Sequence, residues 1–278
     1  YSNDTPNKRT RDRQIWVAKY QNWNYDGDLV ANGIYGSAYA TLTNYWYAYT
    51  SGGKSWPTFD DRKTRGGPVA ARPGDHDISV GFGSDSRKKF WLEVNGGIWN
   101  SDDGGNNKWG NVNLRYRPRP NLSLSIVPSY SVEHDATQYV TALPGTQRVF
   151  SQLDQHSFDI GTRIDWTISS RLSFQLYTQP LIATGDYHDF TQLAQARTAD
   201  YTAVDFNGNP DFNFRSVRGS GVVRWEFRPG SAVYFVWNEN RADTLSQGNF
   251  RLRQDLAGIR NAPSQDVFLI KVSYWIPM

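Results

Sequence analysis

The chain has 278 residues, a formal net charge of +3, an aromatic fraction of 15% and no cysteine. The absence of cysteine excludes a disulfide scaffold and thiolate metal sites, and the small, dispersed charge argues against nucleic acid as a partner. No run of about 18 apolar residues exists, which excludes a bundle of membrane helices. A membrane barrel stays open despite the mean hydropathy of −0.65, because alternating strand residues average to a polar value.

Apolar and polar residues alternate along most of the chain, which is the two-residue period of a β-strand. In NVNLRYR, Val112 and Leu114 lie opposite to Asn113 and Arg115, and the pattern recurs in NLSLSIVPSYSVE and SFDIGTRIDWTIS. Helical spacing fits none of these segments, so the sequence predicts an all-β protein. Eleven strands are predicted, beginning near Arg13, Gly33, Asp77, Lys89, Trp109, Asn121, Arg148, Arg171, Asp211, Ser231 and Asp266.

Two kinds of connection alternate from Thr50 onward. Short links with the Gly, Pro and Ser of ordinary turns lie at Ser84–Lys88, Arg117–Asn121, Ser169–Arg171 and Arg228–Ser231. Long polar loops are predicted at Thr50–Gly74, Ser101–Lys108, His134–Gln147, Gly185–Pro210 and Asn240–Gln265. An up-and-down meander would place all short turns at one end and all long loops at the other, which is the asymmetry of outer-membrane barrels.

The segment RSVRGSGVVRWEFRPG has one apolar and one charged face. Val223 and Trp225 belong to the first, and Arg224 and Glu226 to the second. In a soluble sandwich the apolar face would fill a core, whereas in a membrane barrel it meets lipid and the charged face lines a wet lumen. The link asymmetry, the ion-pair candidates on the polar face and the aromatic residues near strand ends, where interfacial girdles form, favour an antiparallel up-and-down transmembrane β-barrel. Those aromatic residues are Trp99, Trp109, Tyr130, Trp166, Trp225 and Trp275.

The strand count predicts that residues 1–278 are the C-terminal portion of one larger barrel domain. The last strand runs toward the short-turn end and closes with YWIPM. Eleven strands then place the start of the first one, and Tyr1, at the long-loop end. Because single-chain bacterial barrels normally have an even number of strands, we expect at least one earlier strand.

Charged residues on the polar faces are the candidate functional residues. Rings of charge set the selectivity of a pore, although charges also fill a barrel with ion pairs. The predicted lumen-lining residues are Arg115, Arg117, Asp159, Arg163, Asp165, Arg218, Arg224, Glu226, Arg228 and Lys271, joined by Glu93. An aromatic row on the second strand, which would stack on sugar rings or simply fill space, comprises Tyr35, Tyr39, Tyr45, Tyr47 and Tyr49.

No catalytic or metal-binding motif stands out. The four histidines show no paired ligand spacing, and DFNGNPD (Asp205–Asp211) lacks a glycine and a distal glutamate at the spacing that a calcium loop requires. Two carboxylate pairs would suit sugar hydrolysis only at a defined separation, which a sequence cannot supply. These pairs are Asp102 with Asp103 and Asp186 with Asp189.

Three segments carry a resemblance to a known family: LSFQLYTQPLIATGDYHDFTQL, NPDFNFRSVRGSGVVRWEFRPGSAVYFVW and DVFLIKVSYWIP. They resemble bacterial proteins in which a family-nine-like carbohydrate-binding module precedes an uncharacterised outer-membrane barrel domain. RKTRGGPVAARPG and QYV fit the same pattern. The resemblance implies a Gram-negative outer membrane and an N-terminal module that these residues do not include. It brings no catalytic motif, although members are sometimes labelled hydrolases.

The sequence therefore predicts an outer-membrane barrel for the passage or docking of polar solutes, with oligosaccharides as the particular expectation. A structural anchor or assembly barrel with a plugged lumen is the alternative, and an outer-membrane glycoside-active hydrolase is a third. The expected partners are outer-membrane lipid, an oligosaccharide, and either other protein chains or a missing N-terminal part of the same protein. No cofactor is expected.

Overall fold

The computed structural model describes residues 1–144 and 147–276. Residues 145–146 of a predicted loop and Pro277–Met278 of the closing YWIPM lie outside this range. The elements are β1 (Ser2–Asn3), β2 (Thr10–Trp23), β3 (Leu29–Leu42), β4 (Tyr47–Ser55), β5 (Thr58–Asp60), β6 (Ala70–Arg72), β7 (Asp75–Gly83), β8 (Phe90–Ser101), β9 (Asn106–Arg119), β10 (Leu122–Ala142), β11 (Arg148–Ser169), β12 (Leu172–Leu193), β13 (Tyr201–Ala203), β14 (Phe212–Arg228), β15 (Ser231–Leu245), α1 (Leu252–Ile259) and β16 (Ser264–Ser273).

One antiparallel sheet contains every strand except β5 and β6, which pair with each other. Its order follows the chain from β1 to β16, and β13 adds to β12 as a side branch. Sequential neighbours that pair through short turns form an up-and-down meander, so the predicted fold is confirmed. The described sheet is an open path, with β1 and β2 at one edge and β16 at the other.

The predicted number of strands was too small by one long strand. Residues 47–55 were assigned to a continuous second strand and to the loop after it, but they form β4, which pairs with β3 and β7. Because β4 adds one crossing, β2 begins at the short-turn end, and Tyr1 lies beside Ile15 in mid-strand rather than at the long-loop end. The odd-number reasoning for a missing strand is therefore wrong, and an upstream part of the barrel stays a prediction.

The strands also run further than their alternation predicted. β10, β11 and β12 have 21, 22 and 22 residues, about twice the 9–11 residues that a membrane-crossing strand needs. They extend through residues 134–142 and 185–193 of two predicted loops, His134–Gln147 and Gly185–Pro210. The four short turns lie where they were predicted.

The apolar face of the sheet has no core packed against it. Ile78 and Val80 of β7 are 51% and 56% exposed, and Trp225 of β14 is 49% exposed. Among the described residues only eight apolar side chains are buried, so the protein lacks the interior that a soluble sandwich of this length would build. The buried ones are Ala70, Val149, Phe150, Leu153, Ile182, Ala232, Ile259 and Ala262.

The apolar face ends at a line of polar residues. On this face, alternate residues stay without charge over Leu122–Val132 of β10, Phe158–Ile168 of β11 and Val217–Phe227 of β14. We call these stretches apolar runs, and the length of each is close to that of a bilayer-spanning strand, about 9–11 residues. Directly above them, adjacent strands pair polar residues of the same face. This boundary row comprises Lys54, His76, Asn100, Asn106, His134, Asp154 and Asp186.

Candidate functional site

The strand register brings most of the predicted lumen residues onto one face. Arg115 pairs with Ser125, which pairs with Arg163 on its other side. Further along, Arg224 pairs with Tyr234, which pairs with Lys271. Paired residues of an antiparallel sheet point to the same side, so these cations form rows across β9 to β16.

Acidic residues of the same face neutralise part of this charge. Arg163 donates from Nε to Asp165 Oδ2 at 2.9 Å, and Arg224 donates from Nη2 to Glu226 Oε2 at 2.8 Å. Asp159 accepts a hydrogen bond from Gln179, which pairs with Arg218. The polar face thus combines ion pairs with cations such as Arg218, which has no carboxylate of the described residues within 4.0 Å.

Two predicted groups lie elsewhere than expected. Arg228 sits at the turn after a register shift and donates to Tyr274 Oη at 2.8 Å, so it lies at the rim rather than in the row. Trp99 and Trp109 do not face outward: Trp99 lines a cavity on the polar face, and Trp109 packs against Gly97 of that face. Both tryptophans cover glycines, Gly105 and Gly97, which a sequence pattern does not reveal.

Four tyrosines of the predicted row share the polar face but belong to two strands. Tyr39 of β3 pairs directly with Tyr49 of β4, and its ring stacks on Tyr47. Tyr47 donates to the Glu93 carboxylate of β8. Tyr45 lies in the turn between β3 and β4 with φ 66°, where the Arg87 guanidinium covers its ring at 3.1 Å.

The connection between β4 and β7, residues 56–74, crosses over the polar face. We call it the crossing segment. Arg148 of β11 donates to the Thr64 carbonyl at 3.0 Å, and the amide of Ala71 donates to the carbonyl of Thr198 at 2.8 Å. Four strands separate β4 from β11 in the sheet, so a segment that joins them lies inside the curve of the sheet. The polar face is therefore the inner face.

An ion pair holds the loop between β12 and β13, which is hydrogen-bonded to the crossing segment. Arg197, in the connection between β12 and β13, donates to Asp28 Oδ1 at 2.7 Å, and its guanidinium lies 4.2 Å from the Phe59 ring. The hydrogen bond from Arg197 holds the pKa of Asp28 below its ordinary value. Residues 169 positions apart in sequence thus meet at the long-loop end.

A cavity of about 330 Å³ lies between the crossing segment and the inner wall. Its aromatic walls are Trp99 and Tyr201, and burial raises the pKa of the Tyr201 phenol to about 12. Five carboxylates and two cations surround the rings, which gives the cavity an acidic lining. These charged residues are Asp60, Asp75, Asp103, Glu133, Asp135, Lys63 and Arg72.

The two members of the first candidate carboxylate pair have different surroundings. Asp102 pairs with Lys54 at 3.5 Å, whereas Asp103 lines the cavity. Asp186 belongs to the boundary row of the apolar face. Within residues 1–144 and 147–276, no group of three or more His, Asp or Glu side chains is arranged to hold a metal ion.

Sequence reasoning missed several contacts between residues that are far apart in sequence. His134 lies 2.7 Å from Asp154, and His188 lies 3.9 Å from the same carboxylate, although the three residues are dispersed in sequence. The Asp28–Arg197 pair and the Trp99–Tyr201 cavity are of the same kind. No local signal marks them, because the first depends on the register of β10, β11 and β12 and the other two depend on how the loops fold over a curved sheet.

Comparison with known proteins agrees with this architecture. The fold is that of an outer-membrane β-barrel. It is similar to a chain titled "Copper transporter OprC" at 12% identity and a TM-score of 0.50, covering 94% of this chain and 41% of that chain. The NanC porin matches at 13% identity and a TM-score of 0.30, covering 94% of this chain and 99% of that chain.

The chain belongs to the family described as a domain of unknown function, DUF5916, whose family model matches residues 1–278. A search of curated proteins finds no match. The chain spans less than half of the copper transporter chain that it resembles.

Proposed function

We propose that this chain forms part of the wall of an outer-membrane barrel through which polar solutes pass. The observation that best supports this proposal is the two-faced sheet, which has a charged inner face and an apolar outer face of membrane-crossing length. A lumen lined by opposite charges and tyrosines would stay hydrated and admit polar solutes. Outer-membrane lipid is then the first partner, and a Gram-negative outer membrane is the location.

Oligosaccharides are the solute class that we propose in particular. Trp99 and Tyr201 offer ring faces to an apolar sugar surface, and the surrounding carboxylates accept hydrogen bonds from hydroxyl groups. The tyrosines on β3 and β4 line the same inner face. An N-terminal carbohydrate-binding module in a longer protein would supply such a solute, and that part of the proposal rests on the sequence resemblance.

A plugged, anchoring barrel is the second candidate, and the crossing segment favours it. Residues 56–74 bridge the inner face and are held by backbone hydrogen bonds as well as by the Asp28–Arg197 pair. A segment fixed in this way narrows the long-loop end. It would either constrict a pore or close it.

Conductance separates the two candidates. The protein is isolated at its natural length from its own membrane and inserted into planar lipid bilayers. Passage predicts stepwise currents, and Arg197→Ala should enlarge or prolong them because it frees the crossing segment. Arg62→Ala, on the same segment but with a side chain 95% exposed, is the matched control and should change nothing.

The proposed solute is tested in the same bilayer. A linear hexasaccharide should interrupt the current reversibly, and Trp99→Ala should weaken this block by roughly two- to tenfold, the range of an aromatic contact. Absence of current in the wild-type protein and in Arg197→Ala would contradict passage and support the anchor. Current without any sugar block would contradict the oligosaccharide alone.

A further inference from the structure

The connection between β15 and β16, residues 246–263, folds against the outer wall of the sheet. We call it the wall segment. Its Phe250 ring stacks on His156 of β11 at 5.3 Å and 14°. Gly248 lies so close to Asp186 that a Cβ there would be 2.6 Å from the Asp186 Cα. His156 and Asp186 belong to the apolar side of their strands, so the wall segment lies outside the barrel.

A buried carboxylate anchors helix α1 to that wall. Asp255 is 3% exposed, accepts from Asn213 Nδ2 at 2.9 Å and accepts from the amide of Arg251 at 2.7 Å. Ile259, at the end of α1, is also buried. The side of the helix that carries these residues is fixed, and the opposite side faces away from the protein.

The exposed surface of α1 and of its two capping residues is cationic. Arg251, Arg253 and Arg260 are exposed, and beside them Leu252 leaves 39% of its surface exposed. Within the described ranges, no carboxylate lies within 4.0 Å of these three guanidiniums. The nearby cations Arg215 and Arg241, by contrast, are paired with Asp243 and Glu239. The wall segment thus carries three exposed arginines, within ten residues of one another in sequence, that no carboxylate of the described residues neutralises.

The position of α1 relative to the membrane indicates what the three arginines contact. The helix lies against Arg215 and Asn213, directly above the apolar run Val217–Phe227. Because that run has the length of a bilayer crossing, α1 lies at the level of the outer-leaflet headgroups. Arginine pairs with phosphate through two parallel hydrogen bonds, and Leu252 would reach the edge of the acyl layer while the arginines stay at the headgroups.

We propose that the wall segment is a binding surface for phosphorylated lipid headgroups of the outer leaflet. Arg251, Arg253 and Arg260 contact the phosphates, and the buried Asp255 holds the helix that presents them. The surface is independent of solute passage, since it lies on the opposite side of the sheet from the cavity. It requires only that the apolar face meets lipid.

The test measures binding of lipid A, a phosphorylated glycolipid, to the detergent-solubilised protein at its natural length. The triple variant Arg251→Gln, Arg253→Gln and Arg260→Gln removes three charges. Each arginine near an anionic surface contributes about fivefold in affinity, so the expected loss is about a hundredfold. The matched control, Lys8→Gln, Arg9→Gln and Arg62→Gln, removes the same charge from exposed positions off the outer wall and should keep the wild-type affinity.

Two further arms keep the result interpretable. The triple lysine variant of the same positions retains charge and should lose much less affinity than the glutamine variant, which separates headgroup binding from misfolding. Inorganic phosphate, as a competitor at concentrations that match the lipid phosphate, should displace little lipid A because it lacks the acyl contact. Equal affinity of the wild-type protein and the glutamine variant, or complete displacement by inorganic phosphate, would overturn the proposal.

Discussion

The crossing segment and the wall segment are both long polar connections at the same end of the sheet, yet they fold to opposite sides. The crossing segment turns inward, where its Thr64 carbonyl accepts from Arg148 of β11 and its Ala71 amide donates to the Thr198 carbonyl of a distant loop. The wall segment turns outward and packs a short helix on the strands of its own hairpin and on their neighbours. Polarity alone therefore does not determine the direction in which a barrel loop folds.

Their chemistry explains the difference. The inward segment contributes polar backbone and a ring, Phe59, that an arginine covers, which suits a wet lumen. The outward segment contributes Ile259 and Ala262 to a small buried patch and leaves three arginines exposed. In the proposals above, the first segment controls what enters the barrel and the second controls how the barrel sits in its membrane.

The largest expected effect concerns the face assignment on which the comparison depends. Val223→Arg places a charge on the outer face and should lower the free energy of unfolding in lipid by about 2–4 kcal/mol at the membrane midplane. Its neighbour Arg224→Gln loses one partly exposed ion pair, worth about 0–1 kcal/mol. Denaturant unfolding in vesicles measures both variants, and equal tolerance would show that the sheet is not two-faced toward lipid and water.

An intermediate effect is expected from the anchor of the wall segment. Asp255→Ala leaves Asn213 and the Arg251 amide without their acceptor, which costs about 1–3 kcal/mol and should release residues 246–263. Tryptic cleavage after Arg251 and Arg253 should then accelerate about tenfold or more, since 1.4 kcal/mol is a factor of ten. Gln254→Ala, on the exposed side of α1, serves as the control, and unchanged cleavage of Asp255→Ala would refute the anchor.

The smallest effect is a pH dependence of the crossing segment. Arg197 lowers the pKa of Asp28 below its ordinary value, so the stabilisation by this pair is complete above the ordinary pKa of about 3.9. It is lost as the pH falls through the lowered pKa. Bilayer currents should therefore change below about pH 4 in the wild-type protein, and Asp28→Asn should show the acidic behaviour already at neutral pH.

The alternation of side chains predicted the barrel strands well within the apolar band and poorly above it. Between Val217 and Phe227 one face must meet lipid, so the period of two is strict and the sequence reveals it. Beyond the boundary row the pairing of β10, β11 and β12 contains register shifts, and the strict alternation that identifies a strand disappears. Strand β4 was missed for a related reason, because the three residues at its centre, Ser51–Gly53, carry no apolar side chain.

The candidate site was predictable only in part. Arg115, Arg163 and Arg224 could be assigned to one face because face is a local property of a strand. The cavity beside Trp99 and the pairing of Asp28 with Arg197 depend on loops that meet across the curved sheet. Only the three-dimensional course of residues 56–74 and 194–203 brings these groups together.

The central claim is that alternate residues of one strand meet lipid and water, and a cysteine scan of β14 tests it most directly. The protein has no native cysteine, so each introduced thiol reports alone. In the reconstituted protein, thiols at Val217, Val223 and Trp225 should react with a lipid-soluble reagent. Thiols at Arg218, Val222 and Arg224 should react with a water-soluble one. Reactivity without alternation, or with the opposite phase, would contradict the account.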